Sequence, residues 1–154
     1  MSTTPDQLTV LLEELGSQAK VASWVSFNSE ALAWTVGFED DAAVLLEWDE
    51  ELERVMVFTP LGRPPEHRLV TVYRAVLAYN ALWRENAGAR IVMADTEGEL
   101  ALMFELSVRT LTLERLQLVL ESVRHVARTW ARYVLDAEDV HEALPPGSPP
   151  SLRV

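Results

Sequence analysis

The chain has no cysteine among its 154 residues. Disulfides, thiol nucleophiles and cysteine metal sites are therefore excluded, and the composition fits a reducing compartment. Histidine is nearly as scarce. His67, His125 and His141 are the three in the chain, and the adjacent pair His141-Glu142 is the nearest any comes to a ligand spacing. Solvated side chains account for all three. The six glycines are scattered, and no G-x-S-x-G, P-loop, G-x-G-x-x-G or H-E-x-x-H pattern occurs. Carboxylates gather at Glu39-Asp40-Asp41 and at Asp49, Glu50, Glu51 and Glu53. They lack the spaced ligands and central glycine of an EF-hand loop, so they read as solvated turns and no metal or cofactor is expected. Nor is there an uncharged apolar run of about 18 residues, so no membrane-spanning helix is expected. The opening MSTTPDQLTVLLEEL has early acids and no basic n-region, which argues against a secretory signal. Nothing here reads as catalytic machinery, and the chain is not expected to be an enzyme.

Positive charge is also in short supply, and unevenly so. Lys and Arg number 13 against 24 Asp and Glu, for a net charge of -11. Residues 1–60 hold 12 of the acids and only two bases, Lys20 and Arg54, whereas residues 61–154 hold 12 acids and 11 bases. An acidic front half disfavours nucleic acid and anionic membrane as partners. It serves either as a solvated surface or as a field that steers a basic partner segment.

Apolar material is plentiful: hydrophobic residues make up 49% and five Trp are present. One domain over residues 1–136 is the simplest reading. The Pro-rich residues 137–154, with Pro145-Pro146-Gly147-Ser148-Pro149-Pro150, read as a disordered or extended tail.

Along the chain, Thr4-Pro5-Asp6-Gln7 predicts a capped helix start. Leu8, Leu11, Leu12 and Leu15 follow at helical spacing, and Gly16 suggests a stop. Residues 17–31 show no clean period and read as an irregular connector with room for a short extended piece. Three strands are then expected: one through Leu32, Trp34, Val36 and Phe38, one over 43–48, and one over 54–59. Short polar turns make them an antiparallel meander. The proline-rich residues 60–65 are expected to break the sheet. From Leu69 to Asn86 a helix presents apolar residues over about half its wheel, more than the roughly 100° a surface helix needs. It should touch the sheet and something else, either as a central helix within one subunit or as one shared across a dimer interface. Asn80 lies near the centre of that arc. It is expected to hydrogen-bond backbone at a strand end, or its dimer mate. A strand over 90–94, a turn with Gly98 available for positive φ, and a strand over 100–106 come next. An amphipathic helix starting near Thr112 ends the domain. The order α-β-β-β-α-β-β-α implies an α+β fold: a five-stranded, mostly antiparallel twisted sheet with three helices.

This ordered set resembles the class I type III secretion chaperones, the Tir-chaperone or CesT-like family, over roughly residues 5–135. The resemblance is carried by Leu8-Thr9-Val10-Leu11-Leu12-Glu13-Glu14-Leu15-Gly16, by Val76-Leu77-Ala78-Tyr79-Asn80, by Gly88 before a strand, by Glu97-Gly98-Glu99-Leu100-Ala101-Leu102, and by a last helix ending near Trp130. Val76 stands where the family usually has leucine, and the tail lies outside the pattern. The resemblance implies a cytoplasmic bacterial homodimer, without enzymatic activity, that holds the N-terminal region of a secreted effector in extended form. It further implies an effector-binding groove on the first helix and the sheet, for which Leu8, Leu11, Leu12, Leu15, Val44, Leu46 and Trp48 are the candidates; the same residues could equally be internal core. Val72, Val76, Tyr79, Leu82 and Trp83 are the candidates for the dimer interface. A YbjN-like dimeric adaptor unrelated to secretion shares the architecture and is the alternative, with a small enzyme the remoter one.

Overall fold

Thr4 and Gln7 close a reciprocal cap: the Thr4 amide donates to Gln7 Oε1 at 2.9 Å, and the Gln7 amide donates to Thr4 Oγ1 at 3.4 Å. They open α1 (Pro5–Gln18) in a computed structural model that describes residues 4–18, 22–40, 42–109 and 111–135. Four strands follow, β1 (Trp24–Asn28), β2 (Ala33–Gly37), β3 (Ala43–Asp49) and β4 (Arg54–Gly62). A short 3-10 turn over Glu66–Arg68 leads into α2 (Leu69–Ala81), then β5 (Arg90–Met93), β6 (Leu100–Leu106) and α3 (Leu113–Leu135). The class is α+β as expected. The Pro-rich residues 137–154, and His141 with them, lie outside the described residues.

The sheet has six strands rather than five, in the order β1-β2-β3-β4-β6-β5. The extra one is β1, within the stretch that the sequence leaves irregular. Four of its five residues are exposed, so no apolar alternation marks it. Backbone pairing defines it instead, in antiparallel register from Trp24↔Gly37 to Asn28↔Ala33. An edge strand needs a partner on one side only, and its side chains need not be buried.

Three boundaries also differ. Helix α1 runs past Gly16 to Gln18, because Gly16 does not take the positive φ by which glycine ends a helix. Strand β4 continues through Pro60 to Gly62, although 60–65 reads as a break. Its ladder with β3 covers Arg54 to Phe58, so the missing N–H of Pro60 falls beyond that pairing. Helix α2 stops at Ala81 rather than Asn86. The chain tightens into turns, with the Leu82 amide donating to the Tyr79 carbonyl and the Gly88 amide to the Trp83 carbonyl. Ala87 and Gly88 then take positive φ.

The chain forms two compact units whose boundaries fall within β4, β6 and α3. In the first, residues 1–59 and 105–124, the sheet turns Trp34, Val36, Val44, Leu46, Val55 and Val57 to one buried face. Both helical segments of the unit pack there. Thr9 on α1 accepts a hydrogen bond from Trp34 Nε1 at 2.8 Å. On α3, the Arg124 guanidinium sits 4.0 Å from the Phe38 ring centre and pairs with Asp40 at 3.0 Å. In the second unit, whose described residues are 60–104 and 125–135, α2 buries Val72, Ala75, Val76 and Tyr79. Tyr79 meets Trp130 edge-to-face, with ring centres 5.1 Å apart. The buried Arg68 donates to the Tyr133 carbonyl in the last turn of α3 at 2.7 Å, so its cation sits at the negative end of that helix.

Candidate functional site

Sheet edges are where an unfolded chain is most readily received, because their N–H and C=O groups lack a neighbouring strand. The sheet has two such edges, β1 and β5. They are unlike. At β5 the Asn80 side chain of α2 bonds the Ile91 backbone at both its N–H and its C=O. The strand is also only four residues long. At β1 no side chain closes the outer side among the described residues, and the strand displays Trp24 and Phe27, both exposed. Phe27 stacks on Trp34 with ring centres 5.1 Å apart, so β1 carries an aromatic surface continuous with the core beneath it.

The groove candidates fall into two groups. Leu8, Leu12 and Leu15 on α1, and Val44 and Leu46 on β3, are wholly buried in the first unit. They hold α1 on the sheet. Leu11 and Trp48 are half-buried and reach solvent. Trp48 lines an open cavity of about 370 Å³ together with Glu30, Leu32, Asp49 and Glu51. The outer surface of α1 is marked instead by Val10, which the leucine spacing does not flag and which is more than half exposed.

The dimer candidates divide the same way. Val72, Val76 and Tyr79 point into the second unit, Leu82 is half-buried and Trp83 is exposed. Burial pushes the Tyr79 phenol above its ordinary pKa. The solvent side of α2 carries two further large residues, Val70 and Leu77, the latter 70% exposed. They lie two turns apart on one stripe. Met93 on β5 is exposed as well. The breadth of the apolar arc was the sequence signal for this second stripe; what sequence alone did not show is which half of the arc faces inward.

Charge around these surfaces is mostly negative. Asp49 is held below the ordinary carboxylate range by its hydrogen bond from Arg54, and Asp95 by the backbone amides of Glu99 and Glu97. His67 and His125 are exposed. Among the described residues no group of three His, Asp or Glu is placed to hold a metal ion, and no helix is long and apolar enough to cross a membrane.

The model of the Tir chaperone protein (CesT) family matches residues 10–131. No curated protein sequence matches the chain at a significant level. Among solved structures, the chain is similar to one in the ExsC-ExsE complex, at 20% identity and a TM-score of 0.72, covering 90% of this chain and 100% of that one. It is similar to a chain in the HopA1-SchA chaperone-effector complex at 14% identity and a TM-score of 0.63, covering 81% and 93%. It is also similar to a chain in the heterodimeric ExoU-SpcU complex from the type III secretion system of Pseudomonas aeruginosa, at 16% identity and a TM-score of 0.53, covering 81% and 95%. At these identities the likeness is one of fold.

Proposed function

Because this chain belongs to the Tir chaperone protein (CesT) family, we propose that it is a type III secretion chaperone, which holds the N-terminal segment of an effector extended in the bacterial cytoplasm. It acts by binding, not by catalysis. The observation that carries this reading is the asymmetry of the sheet edges. Asn80 bonds the backbone of one edge, whereas at the other, β1, no side chain closes the outer side among the described residues and Trp24 and Phe27 are exposed. A folded partner would not need an open edge. An extended segment does, because strand addition satisfies its backbone while alternate side chains reach apolar surface. Ordering such a segment is costly, so it must cover a large area to bind tightly. The similar chains from chaperone-effector and type III complexes support this role.

The working form is a homodimer. Helix α2 leaves Val70 and Leu77 in solvent, after its opposite side has filled the core of its own unit, and Trp83 in the turns that follow is exposed as well. A second copy is the natural cover for that stripe, and a stable pair would bury about 1,600 Å² in total. Leu11 and Trp48 are the groove candidates a partner can reach, and the buried leucines behind them set the shape of the surface.

The test is co-expression with the N-terminal segments of type III effectors encoded in the same genome. Copurification of one such segment, protease-sensitive alone and protected in the complex, is the expected result. Retention of a folded, non-secreted protein instead, with no effector segment bound, would overturn the reading and favour an adaptor role.

A further inference from the structure

The sheet of the first unit has a second face. The pairing registers place Trp24, Gly37 and Ala43 in one row across it. Ser26, Thr35, Leu45 and Phe58 form the next row, and Asn28, Ala33, Glu47 and Met56 the third. Both helical segments of the unit lie on the opposite face, as the Thr9–Trp34 and Arg124–Phe38 contacts establish. Apart from Gly37, every residue of the three rows is at least partly exposed.

The shape of this face is set by residue size. The Trp24 indole occupies the space that a Cβ on Gly37 would need, so it leans over the sheet rather than away from it. Leu45 and Phe58 are large, half-buried and directly paired. Between them and Trp24 lie the small residues Gly37, Thr35 and Ala43. Large apolar residues thus flank small ones on this face, with the Trp24 indole leaning over one side.

Its charge is one-sided. Glu47 stands on the face, is exposed, and has no ion pair among the described residues. At the end of the face, Asp49 and Glu105 share the one guanidinium of Arg54, each at 2.9 Å. That consumes one of only two bases in residues 1–60, where 12 carboxylates are found. Opposed charges at a rim select partners and speed their encounter more than they add affinity, while apolar burial supplies the affinity. A second copy docking by this face would bring one set of carboxylates, Glu47, Asp49 and Glu105, toward another like it, which is unfavourable.

We propose that this face docks an amphipathic segment of the secreted partner, with apolar residues on Trp24, Leu45 and Phe58 and Lys or Arg residues toward Glu47. The inference rests on the chaperone reading and adds to it the chemical character of the segment and its place. Strand addition at β1 and docking on this face are adjacent, so one chain can do the first and continue onto the second.

The experiment is an NMR titration of the ¹⁵N-labelled full chain with two synthetic peptides of about ten residues, enough to cross the sheet. One alternates Leu and Lys, the other Leu and Glu. The expected result is that Leu–Lys shifts the amides of Thr35, Gly37, Ala43, Leu45 and Phe58 and the indole of Trp24. Leu–Glu should bind roughly tenfold more weakly or worse, and so should Leu–Lys with Thr35→Arg or Glu47→Lys. Both substitutions are at solvent-reaching positions, and circular dichroism checks that they fold. Shifts that map elsewhere, equal binding of the two peptides, or unchanged binding by both variants would overturn the proposal. So would shifts of the same residues on dilution without peptide, since a second copy would then be the occupant. The same variants enter the effector copurification. Wild-type retention of the effector by both overturns this face and leaves the chaperone reading standing. If the wild-type chain retains no effector, that reading falls, and the peptide titration still decides the face.

Discussion

Asn80 and Ile91 exchange two hydrogen bonds. Asn80 Nδ2 donates to the Ile91 carbonyl at 3.0 Å, and the Ile91 amide donates to Asn80 Oδ1 at 2.9 Å. A side-chain amide offers the same donor and acceptor as a peptide group, so Asn80 stands where another strand would pair with β5. It fixes α2 to the sheet edge and occupies that edge at Ile91.

Replacing Asn80 with Leu would leave both Ile91 groups without partners. Each net bond is worth about 1 kcal/mol, and an orphaned buried group costs more. A loss of about 2–3 kcal/mol in urea denaturation is expected. A second expected outcome is a rise in self-association with concentration, since the β5 edge would be open to strand pairing.

Asn80 also shows how far the sequence could be read. A polar amide in the centre of an apolar arc has to bond backbone, and the nearest backbone is the strand that follows the glycine stop. Cap and turn were legible for the same reason: Thr4, Gln7 and Gly98 each answer a local requirement. The edge strand β1 was not. Its pairing with β2 is a backbone property, and exposed Trp24, Ser26 and Asn28 follow no burial pattern. The groove candidates were ambiguous for another reason. A leucine stripe has the same spacing whether it meets the chain's own sheet or a partner. Depth separates Leu12, wholly buried, from Leu11, half-buried, and depth is set by distant residues such as Trp34.

Leu77→Glu tests the dimer surface without disturbing the core. The side chain is 70% exposed, so the free chain should lose little stability, within about 0.5 kcal/mol. Burying a carboxylate at an apolar interface costs several kcal/mol, so light scattering at micromolar concentration should show monomer where the wild type shows dimer. Tyr79→Glu behaves differently. Tyr79 is buried against Trp130, and the expected outcome is loss of the fold rather than a folded monomer.

Acid should weaken the last hairpin through Asp95. Its carboxyl accepts the amides of Glu97 and Glu99, each at 2.9 Å, and these hold its pKa below the ordinary value. A carboxyl depressed in the folded state favours folding fully above its unfolded pKa of about 3.9 and loses that contribution as pH falls through the folded value. The Asp49–Arg54 pair acts in the same direction over the same window. Thermal melts should therefore be flat in this respect above about pH 5 and decline below about pH 4. Asp95→Asn should shallow that decline. An unchanged acid profile would place the sensitivity elsewhere.

Helix α1 offers the sharpest separation of core from binding surface, because Leu12 and Val10 lie on opposite sides of it. Leu12 has no exposure and Val10 is more than half exposed. Leu12→Asp would exchange a packed side chain for a carboxylate in the same space. The cavity and the desolvated charge together cost on the order of 4 kcal/mol or more, which is a large part of the stability of a domain this size. Circular dichroism should then report unfolding, and any loss of partner binding would follow from that alone. Val10→Asp should leave the melt within about 0.5 kcal/mol of wild type. If a partner lies along the outside of α1, its affinity should still fall roughly tenfold, the equivalent of about 1.4 kcal/mol at one apolar contact. Unchanged affinity with Val10→Asp, beside loss with Thr35→Arg, would move the partner off α1 and onto the sheet. Loss with both would mean that one segment crosses from the helix over β1 to the far face.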